Sequence, residues 1–175
     1  MVILFRKYFF RFLIISISIL FLVGCDQTTK KVAQSELKNK DKTEIAGIIN
    51  LQYIENDGGM LSLGNKLPQE IKFIVFILLV SVFLIILFFY ILKNQREMFL
   101  KQSALVLILS GGLGNLVDRV FNNGNVIDFI RIRLPLIESG IFNIADFYVT
   151  LGFVMILLSM ILKPKTLIPE KTDSI

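Results

Sequence analysis

The sequence predicts a membrane all-α fold: four transmembrane helices carrying a small extracytoplasmic β-sheet on the outer face. Three observations predict it. Of 175 residues, 54% are hydrophobic and 19% charged, with a mean hydropathy of +0.70, against about 45–50% apolar and about 25% charged in an ordinary soluble domain. A chain this short buries too small a share of its surface to hide such a surplus in its own core, so the surplus needs lipid. Four apolar runs, low in charge, approach the roughly 20 residues that a helix needs to cross a bilayer. The Lys and Arg residues flanking those runs fall on one side of a four-helix path. Residues 1–175 therefore read as a single integral membrane domain.

The first run, Phe12 to Cys25, extends back to Tyr8 and gives a span over about 8–25. It is also short enough for the apolar core of a signal peptide. Phe73 to Leu92 is a charge-free run and gives a second span over about 71–92. Gln102 to Val117 reaches spanning length only by carrying Asp118 and Arg119 near its end, so the third span is about 102–120. The fourth, about 142–162, has Asp146 as its sole charge. Arg6, Lys7, Arg11, Lys93, Arg96, Lys101, Lys163, Lys165 and Lys171 flank these spans on one side, which makes both termini cytoplasmic. The outer segments are then 26–70 and 121–141. The first carries six Lys but also seven Asp or Glu, a charge balance that lets it translocate.

Within the outer segments the periodicity changes. Ile45, Ile49, Leu51 and Tyr53 alternate across Thr43 to Ile54, a strand pattern leading into the Asn56-Asp57-Gly58-Gly59 turn. Met60 to Leu63, before Gly64-Asn65, continues a small sheet, and Lys38 to Lys42 reads as a solvated loop. After the Asn122-Asn123-Gly124-Asn125 turn, Val126 to Leu134 alternates again. Val126, Ile130, Ile132 and Leu134 share a face with Asp128, and Arg131 and Arg133 lie on the opposite one. A carboxylate on an apolar face is costly unless paired or protonated.

Residue content narrows the chemistry. A single cysteine, Cys25, excludes an internal disulfide. The absence of histidine excludes HExxH zinc sites, Ser-His-Asp triads and Cys-His pairs. Any catalysis must come from carboxylates, Lys, Ser, Cys or Tyr, and nothing calls for a metal or cofactor. Polar residues from separate parts of the chain meet at the outer interface: Asp26, then Asn115, Asp118 and Arg119, then Asp128, then Asn143 and Asp146. Asn115, Asp118 and Arg119 at i, i+3, i+4 line one helix face, and equally fit an ion pair snorkelling at a span's end. Asn143 and Asp146 fit a helix N-cap with an acid in the first turn. Asn56 fits a turn, and Asp26 with Lys30 an exit pair. Gly111, Gly112 and Gly114 read as close helix packing, because no Lys-Ser/Thr follows and no strand precedes them.

Arg6, Lys7 and Arg11, an apolar run and then Leu22-Val23-Gly24-Cys25 resemble a bacterial lipoprotein signal peptide with its lipobox. Three further spans argue against that reading. Several separated motifs instead resemble, in order, the lipoprotein signal peptidase (signal peptidase II) family. They are Asp26-Gln27 with Lys30; Asn56 with Gly58, followed by Gly59-Met60-Leu61 where the family has Ala-Ala-Phe; Gly111 through Arg119; Gly124, Val126, Asp128 and Phe129; and Phe142-Asn143-Ile144-Ala145-Asp146.

The resemblance implies an intramembrane aspartic peptidase of the bacterial cytoplasmic (inner) membrane. Its active site would lie near the outer face, and it would cut prolipoproteins just before a diacylglyceryl-modified cysteine. It implies Asp128 and Asp146 as the catalytic pair, with Asn115, Asp118, Arg119, Asn143, Asn56 and Asp26 supporting them or binding substrate. The partners it implies are prolipoprotein signal peptides and membrane lipids, with no nucleic acid. Cys25 is then a coincidence at the end of span one. A small ion- or proton-coupled transporter is the alternative, since intramembrane acids commonly mark ion paths, but here they cluster at one interface.

Overall fold

The computed structural model describes residues 2–40, 43–45, 48–59, 64, 66–94 and 99–162. Its elements, in order, are α1 (Val2–Leu37), β1 (Thr43–Ile45), β2 (Ile49–Asn56), α2 (Gln69–Lys93), α3 (Phe99–Phe121), β3 (Val126–Ile132) and α4 (Ile144–Ile161). The four helices are each long and apolar enough to cross a membrane. The extension of the sheet over Met60 to Leu63, Asn65, and the flanking residues Arg96, Lys163, Lys165 and Lys171 lie outside the described residues.

Spans two, three and four fall close to their expected bounds, and α1 does not. It has 36 residues, about 54 Å at 1.5 Å per residue, against a hydrocarbon core of about 30 Å. The helix does not stop where the span was read to end, at Cys25: residues 26–37, read as the start of an outer segment, continue the same helix. Counting apolar residues measures how far a helix is oily. It does not measure how far the helix runs, and the sequence from Asp26 to Leu37 contains neither Gly nor Pro to stop it.

The alternation over Thr43 to Ile54 is also not one strand. β1 and β2 pair antiparallel with Ile45 opposite Ile49, so the pattern folds back on itself in a tight hairpin. β3 pairs on the other edge of β2, giving the order β1-β2-β3. Leu51 faces Ile130 and Ile54 faces Asp128, so β2 has one extra residue between these pairs, a bulge that bends the strand. Beyond it, Asn56 stands opposite Val126, which makes Asn56 and Asp128 diagonal neighbours on one face.

Two apolar clusters hold these parts. Ile15, Ile19, Leu84, Leu87, Ile91, Leu105 and Leu109 fill the space between α1, α2 and α3. Ala33 and Leu37, on the extension of α1, pack under Ile127 and Phe129 of β3, so the extension carries the sheet. The glycines of α3 do pack closely: a Cβ on Gly111 would collide with the Ala145 carbonyl oxygen, and one on Gly114 would lie 2.5 Å from an Asp26 carboxylate oxygen. At the end away from the sheet, Arg11 donates to the Ile91 and Asn94 carbonyls, both at 2.8 Å. Gln102 donates to the same Asn94 carbonyl at 3.0 Å, which gathers the start of α1, the end of α2 and the start of α3.

Candidate active site

At the sheet end, Asn56, Asn115, Arg119, Asp128 and Asp146 line one cavity of about 250 Å³, walled on its apolar side by Phe142 and Phe147. Asn143, Asp118 and Asp26 are buried and do not line it. The eight residues singled out in the sequence thus converge, five on the cavity and three behind it.

Asp146 and Asn143 begin α4 with reciprocal hydrogen bonds. The Asn143 Oδ1 accepts from the Asp146 backbone N–H at 2.9 Å, and the Asp146 Oδ2 accepts from the Asn143 N–H at 3.3 Å. Capping and site formation, weighed above as alternatives, are here one arrangement. Because the cap uses the amide oxygen, the Asn143 Nδ2 must face the other way. There it donates to Asp128 Oδ1 at 2.7 Å and to Asn115 Oδ1 at 3.1 Å.

Asn115 is fixed by the same logic. Its Oδ1 accepts from the Lys30 ammonium at 2.9 Å, which has only donors, so its Nδ2 turns to Asp146 Oδ1 at 2.8 Å. Asn56 holds the other oxygen of Asp128: its Oδ1 accepts from the Gly58 N–H at 3.0 Å, the bond that shapes the turn, and its Nδ2 donates to Asp128 Oδ2 at 2.9 Å. Each acid is thus held by asparagine amides whose polarity a second contact fixes.

The expected Asp118–Arg119 pair is not formed. Asp118 instead shares Lys30 with Asp26, each at 2.9 Å, and Lys30 is 1% exposed and Asp26 0%. The second Asp26 oxygen accepts from the Ala145 N–H at 2.9 Å, and Asp118 accepts from Gln27 at 2.8 Å and from the Ile127 N–H at 3.0 Å. This ion triad therefore ties α1, α3, β3 and α4 together behind the site. Arg119 turns the other way, donates to the Gly58 carbonyl at 2.7 Å and lies over the Phe76 ring at 5.2 Å. Adjacent residues on a helix point about 100° apart, so sequence neighbours of opposite charge need not meet. The sequence reading left Lys30 and Gln27 out of the site. Lys30 stands four residues after Asp26, a spacing that puts both on one face of a continuing helix.

The Asp128 carboxyl is pushed up to about 6, by burial first and then by repulsion from Asp146, with hydrogen bonds from Asn56 and Asn143 and the charge of Lys30 acting against the rise. Two carboxyl groups thus face one small cavity, and burial disfavours the charge on Asp128.

Four helices of spanning length with an acid-lined cavity at one end define a multi-pass membrane protein whose polar groups gather at one end. Comparison with known proteins gives its family. The family model described as Signal peptidase (SPase) II matches residues 18–162. A lipoprotein signal peptidase of Streptococcus thermophilus is 38% identical over 146 residues, 82% of this chain and 90% of that protein. One from Streptococcus pneumoniae is 33% identical over 149 residues, 85% of this chain and 92% of that one. A bacterial membrane enzyme solved at 2.3 Å superposes with a TM-score of 0.72 at 28% identity, covering 92% of this chain and 93% of that one. The chain belongs to the signal peptidase II family.

Proposed function

We propose that this protein is an aspartic endopeptidase that removes signal peptides from prolipoproteins, cutting before the diacylglyceryl-modified cysteine, with Asp128 and Asp146 as the catalytic pair. Family membership supports the substrate class. The observation that carries the catalytic type is the set of amides that presents both acids to one cavity.

In this reading the ionised acid of the pair accepts a proton from water as the water attacks the scissile carbonyl. The protonated acid donates to the forming oxyanion; the proton taken from water then goes to the amine nitrogen as the C–N bond breaks, and the diol hydroxyl returns its proton to the other acid as the carbonyl re-forms. Asn56, Asn115 and Asn143 hold the carboxyl groups without adding charge. Arg119 lies at the cavity wall, with no carboxylate among the described residues in ion-pair contact, so its charge favours the ionised state of the pair and partly offsets the acids' mutual repulsion. The apolar wall of Phe142 and Phe147 suits an apolar substrate helix and its acyl chains. A transporter would need a polar route across the span. Below the site the described interior is the apolar cluster around Leu84, Ile91 and Leu109.

The test is incubation of the purified protein with a diacylglyceryl-modified prolipoprotein, read by mobility shift. Conversion to the shorter form is expected. Failure by a folded preparation, or equal conversion of the unlipidated precursor, overturns the assignment.

A further inference from the structure

The tip of the hairpin beyond the sheet, residues 134–137, lies outside the cavity lining, although its return strand from Ser139 to Phe142 enters it. Ile49 and Ile132 are directly paired at the end of β2–β3 furthest from Asn56 and Val126. Beyond them the chain makes a second hairpin: the Arg133 N–H donates to the Ile48 carbonyl at 2.8 Å, Leu134 and Ile137 exchange backbone hydrogen bonds at 2.8 and 3.3 Å, and Ser139 pairs back to Ile132 at 2.8 Å. The tip, Leu134-Pro135-Leu136-Ile137, is backbone-paired at its base, so its shape is built. Its side chains nevertheless face outward: Leu136 is 96% exposed, Ile137 70% and Leu134 48%. On the same face Ile49 adds 40% exposure and its pair Ile132 37%. A contiguous apolar surface of this kind is rare on a face bathed in water and marks a binding surface.

Charge and position choose the occupant. Arg131 and Arg133 project from the opposite face of the same strand end and, among the described residues, share one carboxylate, Glu138, at 3.2 and 3.1 Å. One guanidinium charge is therefore left over, and Arg133 is half exposed. The strand returning from the tip pairs Phe142 with Ile130 and leads at once into Asn143, the cap of spanning helix α4. The hairpin is thus tethered at a membrane boundary. Apolar residues on one side and arginines on the other match hydrocarbon below and lipid phosphate above.

We propose that the Leu134–Ile137 hairpin tip is a membrane anchor, inserted into the leaflet on the sheet's own side, with Arg131 and Arg133 bound to anionic lipid headgroups. The anchor fixes the height of β3, and with it Asp128, against the bilayer.

The test places a nitroxide at Leu136→Cys in a Cys25→Ser background, in nanodiscs of phosphatidylcholine with or without phosphatidylglycerol. Collision rates with oxygen and with a water-soluble nickel chelate are compared with those of labels at Leu20→Cys, in the apolar run of α1, and at Lys38→Cys. The expected oxygen-to-nickel ratio at position 136 is several-fold above that at Lys38 and approaches that at Leu20. Phosphatidylglycerol should raise it further, and Arg131→Gln with Arg133→Gln should remove that increment. A ratio equal to that at Lys38 overturns insertion, and an increment that survives the double substitution overturns the headgroup contact. If the label is shielded only in discs holding two copies, the surface binds a second copy and the proposal falls.

Discussion

Asn143 serves the helix and the acids with one amide, and this shows how single residues carry the site. Its oxygen caps α4 and its nitrogen is left for Asp128. Both Asp128 oxygens accept amide hydrogens, from Asn143 and Asn56, so an asparagine there keeps the shape but loses one acceptor and the exchangeable proton. Asp128→Asn and Asp146→Asn should each lower prolipoprotein turnover by about 10³-fold or more, and the double variant should be scarcely worse, because the pair acts as a unit. Substantial turnover by either single variant at equal protein level removes that residue from catalysis. The pH dependence has a definite sign. With Asp128 raised to about 6 in the folded protein, against about 3.9 unfolded, the native state binds more protons between these values. Its contribution is therefore full below about pH 4 and is lost as the pH rises through about 6. Relative to the parent, Asp128→Asn should gain stability from pH 4 to pH 7, by up to about 2 kcal/mol, in paired thermal melts. A difference that stays flat with pH contradicts the raised carboxyl. Lys30→Met should cost about 3–5 kcal/mol, since it strands Asp26 and Asp118 as buried charges without their partner. The acids were legible from sequence, Asp128 because a carboxylate on an apolar strand face needs a reason. Lys30 was legible only as the partner of Asp26, because its contacts with Asn115 and Asp118 cross more than 80 residues of chain.

The elements position these residues through close approach, and here sequence reading was uneven. The small residues of α3 were legible as packing, and the structure shows against what: Gly111 meets the Ala145 carbonyl, next to Asp146. Gly111→Ala should push α4 away at the level of the site. It should lower stability by about 1–3 kcal/mol and reduce turnover more than that loss of folded protein explains. A Cβ added at Gly24, on α1, would meet nothing within 4 Å, so this position is the control. Gly24→Ala should be neutral or slightly stabilising, since alanine favours helix. Thermal melts and turnover of the two variants decide, and equal behaviour would deny the packing role of Gly111. The continuation of α1 past Cys25 was not legible because lipid solubility and helicity are different properties. Residues 26–37 are polar enough to leave the hydrocarbon yet helical enough to continue, and that continuation brings Ala33 and Leu37 beneath β3. The β1–β2 hairpin was hidden because alternation survives a tight turn when paired residues share a face, as Ile45 and Ile49 do across the turn.

At the scale of the whole molecule, the chain separates its polar chemistry from its apolar bulk. Asp26, Lys30, Lys72, Asp118 and Asp128 are the buried charged residues among those described, and all belong to the sheet end. At the other end Arg11 reaches carbonyls of α2, and Lys93 and Lys101 stand beside it on the end of α2 and the start of α3. This polarity was legible in the sequence, because the basic flanks and the acids each recur with the period of a crossing. It yields an orientation. Basic residues near span ends are retained on the cytoplasmic side, so the end bearing Arg11, Lys93 and Lys101 should face the cytoplasm and the cavity the outside. In a Cys25→Ser background, cysteines at Lys38 and Asn123 should react in intact cells with a membrane-impermeant maleimide. A cysteine at Lys93 should react only after the membrane is opened. The Cys25→Ser parent should retain full turnover, because Cys25 has no place among the site's amides or in the ion triad. Labelling of Lys93 before permeabilisation, with Asn123 protected, would invert the protein. An inverted cavity would open to the cytoplasm, and cleavage at the outer face by the proposed pair Asp128 and Asp146 would then be excluded.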